Sequence, residues 1–106
     1  MSSFGAVIGQ LWATLEQRRS VAPDQSWSAR LIGDPPLAAK KLAEEAVETA
    51  LAAVQGDRAA VIAESADLIY HWLALLAAVG VTPDEVAEAL AARQGRSGIE
   101  EKASRP

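Results

Sequence analysis

The sequence predicts an all-α fold: an antiparallel bundle of about four helices, completed by dimerisation. Three observations carry this expectation. Ala, the strongest helix former, supplies 23 of the 106 residues. Apolar residues recur at helical spacing, and no alternating strand pattern of useful length occurs. Pro and Gly mostly punctuate the periodic segments rather than interrupt them.

Taken in order, the first helix is predicted over 3–19, where Val7, Ile8, Leu11, Trp12 and Leu15 fall on one face. A looser stretch over 20–36 holds three of the five prolines, with a short helical turn at Ser26-Trp27-Ser28-Ala29-Arg30-Leu31. Asp34 followed by Pro35 is an N-cap with Pro at the first helical position. The second helix runs from there to Gln55, and Gly56 suits the position just past its end. Asp57 caps a third helix to Val79, closed by Gly80. Thr82-Pro83-Asp84-Glu85 is a capping box that starts a fourth helix to about Arg93. The remaining basic tail, over about 94–106, is expected to be loosely ordered.

Length and composition exclude several classes. A chain of 106 residues is one domain, 1–106, and buries only about 60–70% of its unfolded surface. A homodimer would supplement so small a core. With no Cys and one His, disulfides, thiolate nucleophiles and Cys- or His-rich metal sites are excluded. A net charge of −4 argues against a nucleic-acid partner. No unbroken apolar run of roughly 18–20 residues argues for a membrane span. The start, Met1-Ser2-Ser3-Phe4-Gly5, lacks the pattern of a signal peptide, so the expected location is cytoplasmic.

The charge is segregated. Between Leu42 and Ala92 stand nine acids and a single base, Arg58, while the flanks carry the other bases. On the second helix Glu44, Glu45 and Glu48 share one face, opposite Leu42, Ala43, Ala46, Val47, Ala50 and Val54. Alone, this helix reads as an amphipathic surface helix whose acids are solvated, with Lys40–Glu44 and Lys41–Glu45 as i,i+4 pairs. The third helix differs. It is apolar nearly all round, and its ionisable groups, Glu64, Asp67 and His71, share a narrow stripe. Such a helix is normally buried, and buried carboxylates need a partner or a cation. Glu64 and Asp67 are three apart, as are Glu45 and Glu48 on the preceding helix, and a short link makes the helices antiparallel neighbours. Four carboxylates can then meet. All-oxygen donors favour Mg²⁺, with Mn²⁺ as an alternative, and point to metal-assisted attack on a phosphoanhydride. His71 fits a hydrogen bond behind a carboxylate better than a metal ligand. Trp12, Trp27 and Trp72 read first as core or interface residues, although Trp27 in the loose stretch can also meet a ligand.

Lys40-Lys41-Leu42-Ala43-Glu44-Glu45-Ala46-Val47-Glu48, followed by Glu64-Ser65-Ala66-Asp67, resembles the EExxE…ExxD pattern of the all-α nucleoside triphosphate pyrophosphohydrolases. MazG-like and dimeric dUTPase-like proteins share that pattern. Asp67-Leu68-Ile69-Tyr70-His71, the segment Ser26 to Leu31, and the tail from Arg96 to Arg105 narrow the resemblance to the phosphoribosyl-ATP pyrophosphohydrolase family. The departures are Ala43 where the family often has Gly, and Trp27-Ser28 where it commonly has Tyr-Thr. The resemblance implies Mg²⁺-dependent hydrolysis of phosphoribosyl-ATP to phosphoribosyl-AMP and pyrophosphate, the second step of histidine biosynthesis, by an all-α dimer. It implies Glu45, Glu48, Glu64 and Asp67 as metal ligands, and Glu44 as a further ligand or a group that positions the attacking water. It also implies phosphate contacts from Arg30, Lys40 and Lys41, and more weakly from Arg96, Lys102 and Arg105. With no cysteines for the zinc of a fused cyclohydrolase, the expected form is the stand-alone enzyme. Two alternatives stay open: a MazG-like house-cleaning enzyme acting on free nucleotides, and a non-catalytic helical dimerisation module.

Overall fold

The described residues include five helices: α1 (Phe4–Arg18), α2 (Trp27–Ile32), α3 (Pro35–Val54), α4 (Arg58–Val79) and α5 (Pro83–Ala92). The computed structural model describes residues 2–95, 98, 102 and 103, and no strand occurs among them. The turn expected at 26–31 is a complete short helix, so the described residues include five helices where about four were expected. The expectation for the tail falls mostly outside the described residues, as do Arg96 and Arg105.

Each start is fixed by a side chain that accepts an otherwise orphaned backbone N–H, worth about 1 kcal/mol per cap. Ser3 accepts from Ala6, Ser26 from Ala29, Asp34 from Leu37 and Asp57 from Ala60, at 3.0–3.2 Å. Thr82 and Glu85 cap reciprocally, with the Thr82 N–H donating to Glu85 Oε1 at 2.9 Å and the Glu85 N–H donating to Thr82 Oγ1 at 3.2 Å. Between α3 and α4, Gly56 takes φ +73°, a left-handed conformation that makes the link tight.

α3 and α4 form the most extensive helix pair, an antiparallel hairpin. α1 and α2 pack against one end of it, over the start of α3 and the second half of α4. The core lies there: Leu15, Leu31, Ile32, Ala38, Leu73, Ala74, Leu76 and Ala77 are buried together, with Trp12, Trp72 and Val86 against them. Arg19 clips α1 to α4, donating to Glu16 at 2.7 Å and to the Ala77 carbonyl at 3.0 Å. That second bond satisfies one of the last carbonyls of α4, which have no partner within the helix.

The other end of the hairpin is bare. Val47, Leu51 and Val54 on α3 and Ile62 on α4 are all more than half exposed. This reverses the simplest reading of α3. Its inward stripe is Ala38, Glu45 and Ala52, while its apolar stripe faces outward. α4, expected to be buried throughout, is buried only over its second half. By length and mean hydropathy alone α4 matches a membrane-crossing helix. In this fold its apolar second half is the centre of the core.

Candidate active site

The α3–α4 hairpin brings Glu45 and Glu48 of α3 against Glu64 of α4. One carboxylate oxygen from each lies within 4.8 Å of the others. Glu45 is buried, Glu64 half-buried and Glu48 exposed, so the cluster opens to solvent on the Glu48 side. Three like charges at this spacing are mutually destabilising. Glu64 responds most: its pKa is pushed up to about 7, first by the carboxylate–carboxylate contact with Glu48, then by burial and by Glu45. Burial raises Glu45 as well, with the charges of Glu48 and Asp67 adding and the contact with Glu64 partly offsetting.

Among the described residues no protein group donates to the buried Glu45 Oε2 or Glu64 Oε2. Buried polar atoms are ordinarily satisfied, and an orphaned acceptor costs about 1–3 kcal/mol. Two such oxygens in one carboxylate cluster fit a hard divalent cation, which is the partner that an all-oxygen set lacks.

The shift of Glu64 gives a stability prediction with a definite sign. Its folded pKa of about 7 stands above its ordinary value of 4.5, so between those limits the folded chain holds a proton that the unfolded chain has released. Stability of the metal-free protein therefore falls as pH rises from 4.5 to 7. Thermal melts in EDTA should show a higher Tm at pH 5.5 than at pH 7.5, and Glu64→Gln should remove most of that difference. A melting temperature that climbs over this range would contradict the geometry.

The other expected site residues divide. Asp67 is exposed, one turn beyond Glu64, and lies outside the three-carboxylate set while remaining within electrostatic reach of Glu45. Glu44 is also outside the set. It accepts from Lys41 Nζ at 3.0 Å, an i,i+3 pair that holds its carboxyl below the usual range. The anticipated i,i+4 pair from Lys41 to Glu45 does not form, because Glu45 turns inward toward α4 and leaves Lys41 to Glu44. Lys40 is exposed on the same helix. Arg30 is exposed and stands over the Trp27 ring, 5.9 Å from its centroid. Lys102 is exposed beyond the five helices.

His71 is buried, and no carboxylate hydrogen-bonds to it among the described residues. Its Nε2 accepts the Trp27 indole N–H at 3.4 Å. An indole N–H only donates, so the imidazole proton sits on Nδ1, which donates to the Asp67 backbone carbonyl at 2.8 Å. Both ring nitrogens are thereby committed within the protein. The packing adds a contact that the sequence did not reveal: Tyr70 meets His71 edge-on at 5.0 Å, and its hydroxyl pairs with Ser28 at 2.5 Å. Ser28 and Tyr70 sit three residues from Leu31 and Asp67 respectively, but nothing in their spacing signals contact across helices.

Two of the hollows among the described residues are of ligand size. The larger, about 440 Å³, lies between α1 and α5 against Phe4, Ile8, Trp12 and Pro83, away from the carboxylates. The other, about 390 Å³, is an open depression on α3 at Ala43, Glu44, Val47 and Glu48, beside the acidic cluster. The second has the relevant chemistry.

A family model described as phosphoribosyl-ATP pyrophosphohydrolase matches residues 8–94. A protein of Caulobacter vibrioides named phosphoribosyl-ATP pyrophosphatase is 61% identical over 99 residues, spanning 93% of this chain and 92% of that protein. A similarly named protein of another Caulobacter species is 55% identical over 106 residues, spanning 100% and 99%. One from Ruegeria pomeroyi is 48% identical over 102 residues, spanning 95% and 97%.

Proposed function

From the premise that this chain belongs to the phosphoribosyl-ATP pyrophosphohydrolase family, we propose that it hydrolyses phosphoribosyl-ATP to phosphoribosyl-AMP and pyrophosphate with Mg²⁺. The observation that supports this best is the set Glu45, Glu48 and Glu64, with two buried oxygens that no protein donor serves. These residues would hold Mg²⁺, or Mn²⁺ in its place, with Asp67 at the edge of the set. A cation bound there supplies positive charge to the phosphate oxygens and to the departing pyrophosphate.

The chain's own groups do the rest. Water's oxygen bonds to the α-phosphorus as its proton passes to solvent, the α–β anhydride bond breaks, and that bond's electron pair leaves on pyrophosphate. Glu44, kept ionised by Lys41, is a weak base; it is suited to orienting the attacking water by accepting a hydrogen bond. Lys40, Lys41 and Arg30 supply cationic contacts for a substrate that bare carboxylates would repel. Arg96, Lys102 and Arg105 of the tail can add to these.

Measuring pyrophosphate release from phosphoribosyl-ATP, with and without Mg²⁺, tests the reading directly. Turnover only with the metal, and well above that on dATP or dUTP, is the expected result. Equal or faster turnover of the free nucleotides would assign a house-cleaning role instead.

The proposed assembly is a homodimer, in the cytoplasm and without a membrane or nucleic-acid partner. The bare stripe of Val47, Leu51, Val54 and Ile62 supports it, since covering each such side chain is worth about 1.5–3 kcal/mol at full burial. A two-fold axis would cover the stripe of both copies at once. Leu51→Lys and Ile62→Lys should each shift sedimentation from dimer toward monomer at micromolar concentration. An unchanged dimer in both variants would place the interface elsewhere.

A further inference from the structure

Trp27 is hydrogen-bonded to the core and yet left open. Its indole N–H is tied to His71, whose ring it meets edge-on at a centroid separation of 6.4 Å. His71 is in turn fixed by the Asp67 carbonyl and by the edge of Tyr70, whose hydroxyl pairs with Ser28 on α2. That network fixes the orientation of the Trp27 ring. Even so, Trp27 remains 43% exposed, with the exposed guanidinium of Arg30 over its ring. An anchored aromatic ring with a cation over it presents what a nucleotide needs: a π system for the base and positive charge for a phosphate.

Position favours the same ligand. His71 lies seven residues beyond Glu64 on α4, about 10 Å along the helix. Trp27, bonded to His71, therefore stands at roughly the reach of a nucleoside from the acidic cluster. A nucleotide whose anhydride lies at the carboxylates can extend its nucleoside along α4 to this ring.

We propose that Trp27 is a specificity-determining residue on whose exposed ring the purine base of the substrate stacks, with Arg30 leaving its place over the ring to contact a phosphate. The assignment rests on the phosphoribosyl-ATP reading above. It separates base recognition, on α2, from the acidic cluster on α3 and α4.

Two variants of similar bulk test it. Trp27→Leu removes the π face, and Trp27→Phe keeps a ring while losing the N–H bond to His71. Trp27→Leu should raise KM for phosphoribosyl-ATP about tenfold, the loss of one stacked base, with kcat changed by less than about twofold. Trp27→Phe should hold KM within about threefold of the wild type. Inorganic tripolyphosphate carries the anionic chain without a base, so its inhibition constant should be the same in all three proteins. Equal KM values for the Leu and Phe variants would overturn the stacking role. So would a tripolyphosphate constant that rises in step with KM, which would mean that Trp27 only shapes the acidic cluster. A change of sedimentation in Trp27→Leu would assign the ring to a subunit contact. A wild-type protein that releases no pyrophosphate from phosphoribosyl-ATP would sink the underlying reading itself, whereas an active wild type with an indifferent Leu variant would sink the stacking alone.

Discussion

Replacing Glu48 with Gln should lower turnover of phosphoribosyl-ATP by at least about 10²–10³-fold, the usual cost of removing one well-placed electrostatic group from an active site. The substitution is sterically mild. Glu48 is the exposed member of the cluster, so its amide can be accommodated without repacking the hairpin. What changes is charge: the cation loses one anionic ligand, and the remaining pair attracts it less. Without metal the same substitution should do the opposite to stability. One of three crowded negative charges disappears, and the contact that contributes most to raising Glu64 is removed. The variant should therefore melt slightly higher than wild type in EDTA, gain less on adding Mg²⁺, and keep its helical circular dichroism. Asp67→Asn should also lose turnover, because Asp67 shares the α4 stripe with Glu64. Full activity in the Glu48 variant would remove the cluster from the mechanism.

The largest stability effect is expected from Leu73→Ala. Leu73 is fully buried on the half of α4 that α1 and α2 cover, in one cluster with Leu15, Leu31 and Leu76. Truncation loses the transfer energy of the removed carbons and leaves a cavity, together about 2–5 kcal/mol. Small domains are stable by only about 5–15 kcal/mol, so this is a large fraction of the total. For a chain of this size it corresponds to a Tm drop of roughly 10 °C or more, readable by thermal circular dichroism. Ile62→Ala on the bare half of the same helix gives the contrast. Within one subunit it should cost little, since Ile62 is 60% exposed. A loss matching that of Leu73 would show that Ile62 is covered by a second copy.

The helices were legible because their ends are written in single residues. Asp34, Asp57 and Thr82 each cap as their side chains predict, and Gly80 turns left-handed, φ +79°, where α4 must stop. The acidic cluster was legible in part. Spacing places Glu45 and Glu48 on one face and Glu64 on another helix, but a helical wheel gives relative direction only. It cannot say from which side the neighbouring helix arrives. That side depends on the Gly56 link and on where α1 and α2 pack, and these turn Glu45 inward and the Val47–Leu51–Val54 stripe outward. The same ignorance hid the bond from Trp27 to His71. These residues are far apart in sequence, and only the docking of α2 on α4 brings them together.

The tight link at Gly56 has a kinetic consequence. The three carboxylates of the cluster lie on either side of it, with Glu45 and Glu64 fewer than twenty positions apart. Bringing them together needs the closure of one short loop between two capped helices, an encounter of low entropic cost. The carboxylates can therefore converge early in folding, while α1 must still travel across most of the chain to cover Leu73. A divalent cation present during refolding would then meet its ligands before the core is complete, and would speed folding as well as stabilise its end point.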